Sequence, residues 1–389
     1  MAASKYSKTT IREVALINAN SIKGNSAPSN IEYIDISSVG TGEFIENPKV
    51  MAFADAPSRA RRIVKAGDTI LSTVRPNRRS FLFLSAPNPN AVVSTGFAVL
   101  TPTTDVDARY LYHWITRQDF TDYLSLHAKG AAYPAVSAED IGNGEINLPP
   151  LTIQRRIAGI LSAYDELIEN SQRRIKILEA MARSLYREWF VHFRFPGHES
   201  VPRVHSPLGD IPQGWEVKTV KDTLSRRTSG TVYRDADVKS EGTIPVIDQS
   251  AKELLGFHDN KPDHAASPEK PMAIFGDHTC KMQLLIEPFS VGPNVVPFIA
   301  SQELPTAYAL YAVNSLVETQ EYKRHWIPLN AKNIVVADTA SANRFSSLIQ
   351  PMLVAQETLR KEIRNLRRTR DLLLPRLLSG LIDVEAIVS

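Results

Sequence analysis

The sequence predicts an α+β chain: two mixed α/β domains in pseudo-twofold repeat, separated by two long antiparallel helices that form a coiled coil. Three observations predict it. At about 150 residues per domain, 389 residues accommodate two to three domains. Two heptad seams of the same phase occur half a chain apart. A strand-rich segment ending in a helical stretch precedes each seam.

The first seam follows Pro149-Pro150. Apolar or small residues stand at Ile157, Leu161, Tyr164, Ile168, Ser171, Ile175, Leu178, Ala182, Leu185 and Trp189, in steps alternating four and three. Arg155, Arg156, Glu166, Glu169, Arg173, Arg174, Lys176 and Arg187 lie off it, as solvent-facing positions should. Adding 188 to each seam position gives Phe345, Ile349, Met352, Gln356, Leu359, Ile363, Leu366, Arg370, Leu373 and Leu377. Only Gln356 and Arg370 are not apolar. A seam this long runs roughly 48 Å at 1.5 Å per residue, and neither helix can bury its own stripe. The economical solution packs one on the other, with Ile157, Leu161, Ile168, Ile175, Leu178 and Leu185 facing Ile349, Leu359, Ile363, Leu366, Leu373 and Leu377. Pro351 and Pro375 each remove a helical hydrogen bond, so a late start, kink or break is expected near them.

Within the first globular segment, Ala66 to Val74 reads as a turn entering a strand. Phe81 to Leu84, Ala91 to Val93 and Phe97 to Leu100 read as short strands, and Tyr110 to Leu126 has helical spacing. The second segment repeats this order with Met272 to Phe275, Leu284 to Ile286, Val295 to Ile299 and a helix over Tyr308 to Tyr322. Between them Phe195 to Gly214 carries Pro196, Pro202, Pro207 and Pro212, which predicts an irregular, stiff linker. Trp189, Phe190, Phe193 and Phe195 crowd the end of the first helix, either capping a core or forming a docking patch for a partner.

Composition narrows the function classes. The single cysteine, Cys280, excludes an internal disulfide and a multi-cysteine zinc site, which fits a reducing cytosol. The start MAASKYSKTT has no apolar core of a secretory signal, and no stretch of about 18 apolar residues offers a membrane span. Net charge is only +3, yet between Ser58 and Ser80 seven cations (Arg59, Arg61, Arg62, Lys65, Arg75, Arg78, Arg79) face one acid, Asp68. Such a cluster suits either phosphate neutralisation or a solvated basic face. No phosphate-binding loop, dinucleotide fingerprint or Asn-Pro-Pro-aromatic tetrad is present, so no catalytic residues are assigned. His258, His264, His278 and Cys280 match no compact metal spacing, and no metal ligands are assigned.

The motifs then converge on one resemblance. Asn147-Leu148-Pro149-Pro150-Leu151, with Gln154 and Ile157, resembles the approach to the first conserved helix in the specificity subunits of type I restriction–modification systems. Gly209-Asp210-Ile211-Pro212-x-Gly214-Trp215 is similar to the start of that family's second target-recognition domain. Leu374-Pro375-Arg376-Leu377-Leu378-Ser379-Gly380 resembles its closing helix, and Gly67 to Leu71 with Val74-Arg75-Pro76 a strand–loop signature inside its recognition domains. The second half offers Asn333 to Asp338 in place of the Leu-Pro-Pro-Leu approach.

The resemblance implies target-recognition domain 1 over 1–150, the first central helix over 151–195, linker and target-recognition domain 2 over 196–342, and the second central helix with tail over 343–389. It implies a non-catalytic, cytoplasmic DNA-recognition subunit whose domains each read half of a bipartite site in double-stranded DNA. The central helices would set the spacer and dock two adenine methyltransferase subunits. This chain would bind no cofactor; S-adenosylmethionine belongs to the methyltransferase, and ATP and Mg to restriction subunits that can join. In the first domain the DNA-contacting candidates are Arg75, Asn77, Arg78, Arg79, Lys129 and Tyr133. In the second they are Lys281, Gln283, Lys323, Arg324 and Lys332. Arg and Lys suit guanine or phosphate, and Asn and Gln suit adenine. The rival readings are a DNA-binding protein, or a coiled-coil scaffold, that works without enzyme partners.

Overall fold

The computed structural model describes residues 6–23, 28–250, 254–301, 304–320 and 323–384. Contacts divide the chain into two units, Met1–Glu169 with Arg364–Ser389, and Asn170–Ile363.

In the first unit, strand Ser7–Thr10 pairs antiparallel with Glu145–Leu148, bringing the start of the unit to the foot of the first long helix. A four-stranded sheet follows, in the order Ala15–Ile17, Phe97–Pro102, Thr69–Ser72, Phe81–Phe83. A second runs Lys49–Ala52, Asn30–Ile34, Ala91–Ser94, Ala60–Ile63. The central strand Thr69–Ser72 is buried throughout, which explains its continuous rather than alternating apolar reading. The stretch from Tyr110 to Leu126 is not one helix. It forms Ala108–Ile115, capped by the Asp107 carboxylate, and Gln118–His127. The break follows Thr116, whose hydroxyl donates back to Tyr112 O at 2.8 Å and competes with the helical ladder.

The second unit repeats this plan. Strand Glu216–Thr219 pairs with Asn333–Val336. A four-stranded sheet has the order Leu224–Arg226, Val295–Ala300, Met272–Gly276, Met282–Leu285, position for position the order of the first sheet. The partner sheet has three strands, Leu254–His258, Ile244–Ile247 and Ser290–Val291. The repeat inferred from heptad phase is therefore also a repeat of sheet topology. Here the helix expected over Tyr308 to Tyr322 spans only Thr306–Val313. Ser315 turns into the left-handed region at φ 66°, which a helix cannot follow, and residues 321–322 lie outside the described residues.

The expected linker needs correction. Arg203–Ser206 and Gly209–Pro212 form a two-stranded hairpin, and Pro212 occupies a strand end, where a missing N–H costs no ladder bond.

The first long helix runs Leu151–Tyr186 and closes with one wide turn, Arg187–Val191, so it stops before the expected 195. Phe193, at φ 57°, ends it. The second runs unbroken over Thr339–Leu378, starting ahead of the expected residue 343. The Asp338 carboxylate accepts the Ser341 N–H at 2.8 Å and caps the early start. Pro351 and Pro375 interrupt nothing, because both lie on the exposed side, where the ring displaces no packed neighbour.

Every seam position of both helices is buried or half-buried, and the eight off-seam charged residues of the first are exposed. In the first unit Ile157 and Leu161 share an apolar cluster with Leu373, Leu374, Leu377 and Leu378. In the second, Ala182, Leu185, Tyr186 and Trp189 share one with Phe345, Ile349 and Met352. Within the second unit Glu179 meets Arg360 at 3.3 Å while Trp189 meets Phe345, so the helices run antiparallel. Arg370, polar in an apolar phase, is explained by Asp165, whose carboxylate accepts its guanidinium at 2.6 Å. Each fully buried aliphatic side chain of these seams is worth about 1.5–3 kcal/mol. Among the described residues, no helix is long and apolar enough to cross a membrane.

The joint of the first unit carries a titratable switch in its stability. His113 is 2% exposed, with Nε2 at 3.3 Å from Ser162 Oγ of the long helix. Burial, then the charges of Arg370 and Arg109, push its pKa down to about 3. The unfolded chain takes a proton on this ring near pH 6.5 while the folded chain does not, so stability is complete above that pH and falls as pH drops toward 3. Burial raises the Asp165 carboxyl despite Arg370; it protonates earlier in the folded state and offsets part of the loss. Urea titrations from pH 7 to 4 should show stability falling by on the order of 1 kcal/mol per pH unit, and less in His113→Gln. Equal slopes in the two proteins would refute this role.

Candidate nucleic-acid interface

Loops at one end of the buried central strand are the natural place for groove contacts, because a rigid sheet holds them. In the first unit the strand Thr69–Ser72 leads into a tight turn, Pro76–Arg78, flanked by Arg75 and Arg79, both in the left-handed region. The structure clasps this turn to the loop 129–135. Arg75 N–H donates to Pro134 O at 2.7 Å, its guanidinium donates to Ala132 O at 3.1 Å, and the same group sits 4.6 Å over the Tyr133 ring. Two segments singled out separately are thus one surface. Asn77, Arg78, Lys129 and Tyr133 are exposed on it, Tyr133 by 70%.

Arg79 is not part of that surface. Its guanidinium donates to Thr116 O at 2.7 Å and to the Gln118 side chain, and packs against Phe81, fastening the turn to the break between the two short helices. Burial lowers its pKa and leaves its Nε without a partner. The rest of the basic cluster is also partly committed. Arg59 pairs with Asp35 at 2.8 Å. Burial opposes ionisation of Asp35, but bonds from Tyr33, Ser37 and Arg59 outweigh it and hold the carboxyl at about 2. Arg62 is half-buried, its pKa lowered by burial.

In the second unit the corresponding turn follows Gly276. The buried Asp277 carboxylate accepts the N–H groups of His325 and Trp326 at 3.0 and 2.9 Å, and His278 Nδ1 lies 2.9 Å from Lys323 O. Again two loops are clasped together. Lys323, Arg324 and Lys332 are exposed. Two candidates need correction. Lys281 reaches inward to Ser250 O at 2.8 Å and Asp248 O at 3.2 Å, so its charge ties a loop down. Gln283 lies on a sheet strand with its side-chain oxygen buried, out of reach of a groove. Among the described residues no three His, Cys, Asp or Glu side chains are placed to hold a metal ion.

The recurring motifs occupy joints rather than the reading surface. Gln154 is 1% exposed; its side chain accepts Asp107 N–H at 2.8 Å and donates to Pro149 O and Asp105 O, locking the start of the long helix to the first unit. Asp68 is buried in its turn, where it accepts Thr101 Oγ1 at 2.7 Å and Lys65 N–H at 2.9 Å. Trp215 Nε1 donates to Asp338 at 3.0 Å, and its ring stacks on Phe195. Trp189, Phe190 and Phe195 are buried in the same core and Phe193 packs half-buried against it, so the cluster caps that core. Leu377 and Leu378 are buried in the core of the first unit. The acids Asp165 and Glu179 of the helix pair were not singled out by pattern; charged residues facing each other across two helices leave no mark in either sequence alone.

A family model described as the type I restriction modification DNA specificity domain matches residues 4–180. The MjaIX type I restriction enzyme specificity subunit of Methanocaldococcus jannaschii is 27% identical over 327 residues, covering 78% of this chain and 75% of that protein. The HindI specificity subunit of Haemophilus influenzae is 26% identical over 168 residues, 41% of this chain and 37% of that protein. The crystal structure of the S subunit of a type I restriction–modification system from M. genitalium has the same fold, with a TM-score of 0.55, 13% identity and 97% of each chain covered. The motifs at the joints and the repeated sheet order thus accompany a similarity to type I restriction–modification specificity subunits, by the domain model over residues 4–180 and by the MjaIX subunit over 78% of the chain.

Proposed function

We propose that this chain is the DNA-reading, non-catalytic subunit of a cytoplasmic type I restriction–modification complex. Each unit reads one half of a bipartite site, and the paired helices set the spacer and dock two adenine methyltransferase subunits. The methyl donor S-adenosylmethionine is carried by those subunits, and ATP with Mg by restriction subunits that join the complex. The observation that carries this reading is the doubled architecture: each unit clasps two loops at the end of a buried strand, and exposed basic side chains stand on them. Arg78 and Lys129 in one unit, and Lys323 and Arg324 in the other, suit phosphate and guanine contacts, while Asn77 suits adenine. A scaffold would need neither clasp nor cations.

Mapping methylated adenines genome-wide in cells with and without this gene tests the proposal. A two-part methylated sequence that disappears with the gene is the expected result. An unchanged methylation pattern, or DNA methylation by the purified chain alone, overturns it.

A further inference from the structure

We propose that the segment Arg226–Tyr233 of the second unit is a DNA-backbone grip, with Arg226 and Arg227 closing on phosphates beside the groove-reading loops. This rests on the DNA-reading function proposed above and adds an element that sequence patterning did not single out.

The sheet places the segment. Strands Leu224–Arg226 and Met272–Gly276 flank Val295–Ala300, and both run antiparallel to it: Arg226 and Ala273 both oppose Phe298, and Gly276 opposes Val295. The two strands therefore leave the sheet at the same end. One opens into the clasped turn 277–281, and the other into the Arg segment, where Arg227 N–H donates to Pro297 O at 2.8 Å.

Its backbone is held in place. His264 Nε2 lies 3.3 Å from Ser229 O, Thr231 N–H donates to Asp263 at 3.1 Å, and Tyr233 N–H donates to Val291 O at 3.1 Å. Gly230 sits at φ 70° against Asp263, where any Cβ would collide with that side chain. Tyr233 lies flat on His258, ring centroids 4.2 Å apart at 6°. On this fixed backbone Arg226 and Arg227 are both exposed, and among the described residues neither guanidinium makes an ion pair or hydrogen bond. Two adjacent like charges on a fixed backbone, left without ion-pair or hydrogen-bond partners, are available to an anion outside the chain, and guanidinium forks match phosphate geometry.

The rest of the unit gives the segment its purpose. Lys281, the cation of the neighbouring turn, is consumed internally, so that turn brings little positive charge of its own. In the first unit the equivalent strand Ala15–Ile17 is followed by neutral Asn18 and Asn20, and the Asn18 side chain is spent accepting Val99 N–H at 2.9 Å. There the turn itself brings an exposed cation, Arg78. Beside the exposed cations of the clasped loops, each unit thus has a further source of positive charge at the same end of the same sheet, from a different segment in each.

The test uses the chain assembled with its methyltransferase partner and a 40-base-pair duplex of arbitrary sequence, because phosphate contacts are sequence-independent. Affinity is followed from 50 to 200 mM salt. Arg226→Ala/Arg227→Ala should flatten the log–log salt slope by about two and weaken binding on the order of tenfold at the upper salt, with unchanged thermal melting. Arg226→Lys/Arg227→Lys should keep the wild-type slope. Wild-type affinity and slope in the alanine pair overturn the proposal while leaving the DNA-reading function standing. A wild-type complex that does not bind the duplex at 50 mM salt overturns both.

Discussion

Removing one heptad from the middle of each long helix, Asn170–Lys176 and Lys361–Arg367, should shorten the recognised spacer while leaving both half-sites unchanged. Seven residues take about 10 Å from an α-helix but turn it by only some 20° relative to a whole number of turns, so both seams keep their phase. The half-buried pairs at each end, Asp165 with Arg370 and Glu179 with Arg360, are outside the deletion and survive. Along B-DNA 10 Å is on the order of three base pairs. Three base pairs also rotate the duplex by roughly a third of a turn, so methylation should be weaker as well as respaced. Methylome sequencing of cells carrying the deletion reads both quantities. An unchanged spacer, or altered half-sites, would refute the idea that the helices measure distance.

Phe345→Ala should be the most damaging single substitution for the second unit. Phe345 is fully buried, and four rings surround it: Tyr186 at 5.8 Å, Trp189 at 6.4 Å, Phe190 at 5.3 Å and Tyr311 at 5.6 Å between centroids. Three of those rings come from the first long helix or its closing turn, so truncation opens a cavity where the helix pair meets the globular core. Losses for Phe→Ala in such sites are about 3–5 kcal/mol, and the edge-to-face contacts with Phe190 and Tyr311 favour the upper end. Phe345→Leu keeps most of the volume and should cost less than half as much. Denaturant unfolding followed by tryptophan fluorescence, with Trp189 and Trp215 in the same cluster, measures this directly. A change below about 1 kcal/mol in the alanine variant would mean that the ring cluster does not hold the joint.

Much of the fold was legible because helical burial is periodic. The seam positions repeat every three and four residues, and a stripe too long to bury itself demands a partner of equal length. The order of strands within each unit was visible too, as short apolar runs between turn residues. Element ends were less legible. Pro351 and Pro375 argued for a late start, kink or break in the second helix, yet both fall on its exposed side, where proline costs least. Phe195 to Gly214 looked irregular from its prolines, yet it contains a hairpin that tolerates Pro212 at a strand end. Thr116 divides one expected helix into two through a single back-bond that no local pattern announces.

The interface divides along the same line. That basic residues at 75–79 and around 129–133 are candidates for DNA-reading loops followed from their types and their place after strands. That Arg75 lies on Tyr133, that Arg79 is spent on Thr116 and Gln118, and that Lys281 caps Ser250 depend on where distant segments meet.

From the sequence by itself came the duplicated plan, the helix pair and the family resemblance, because periodicity and short motifs are properties of neighbouring residues. Only the tertiary structure decided which cations are spent on protein partners. A guanidinium offers the same donors to a backbone carbonyl as to a phosphate, and whichever partner the fold brings within reach takes them.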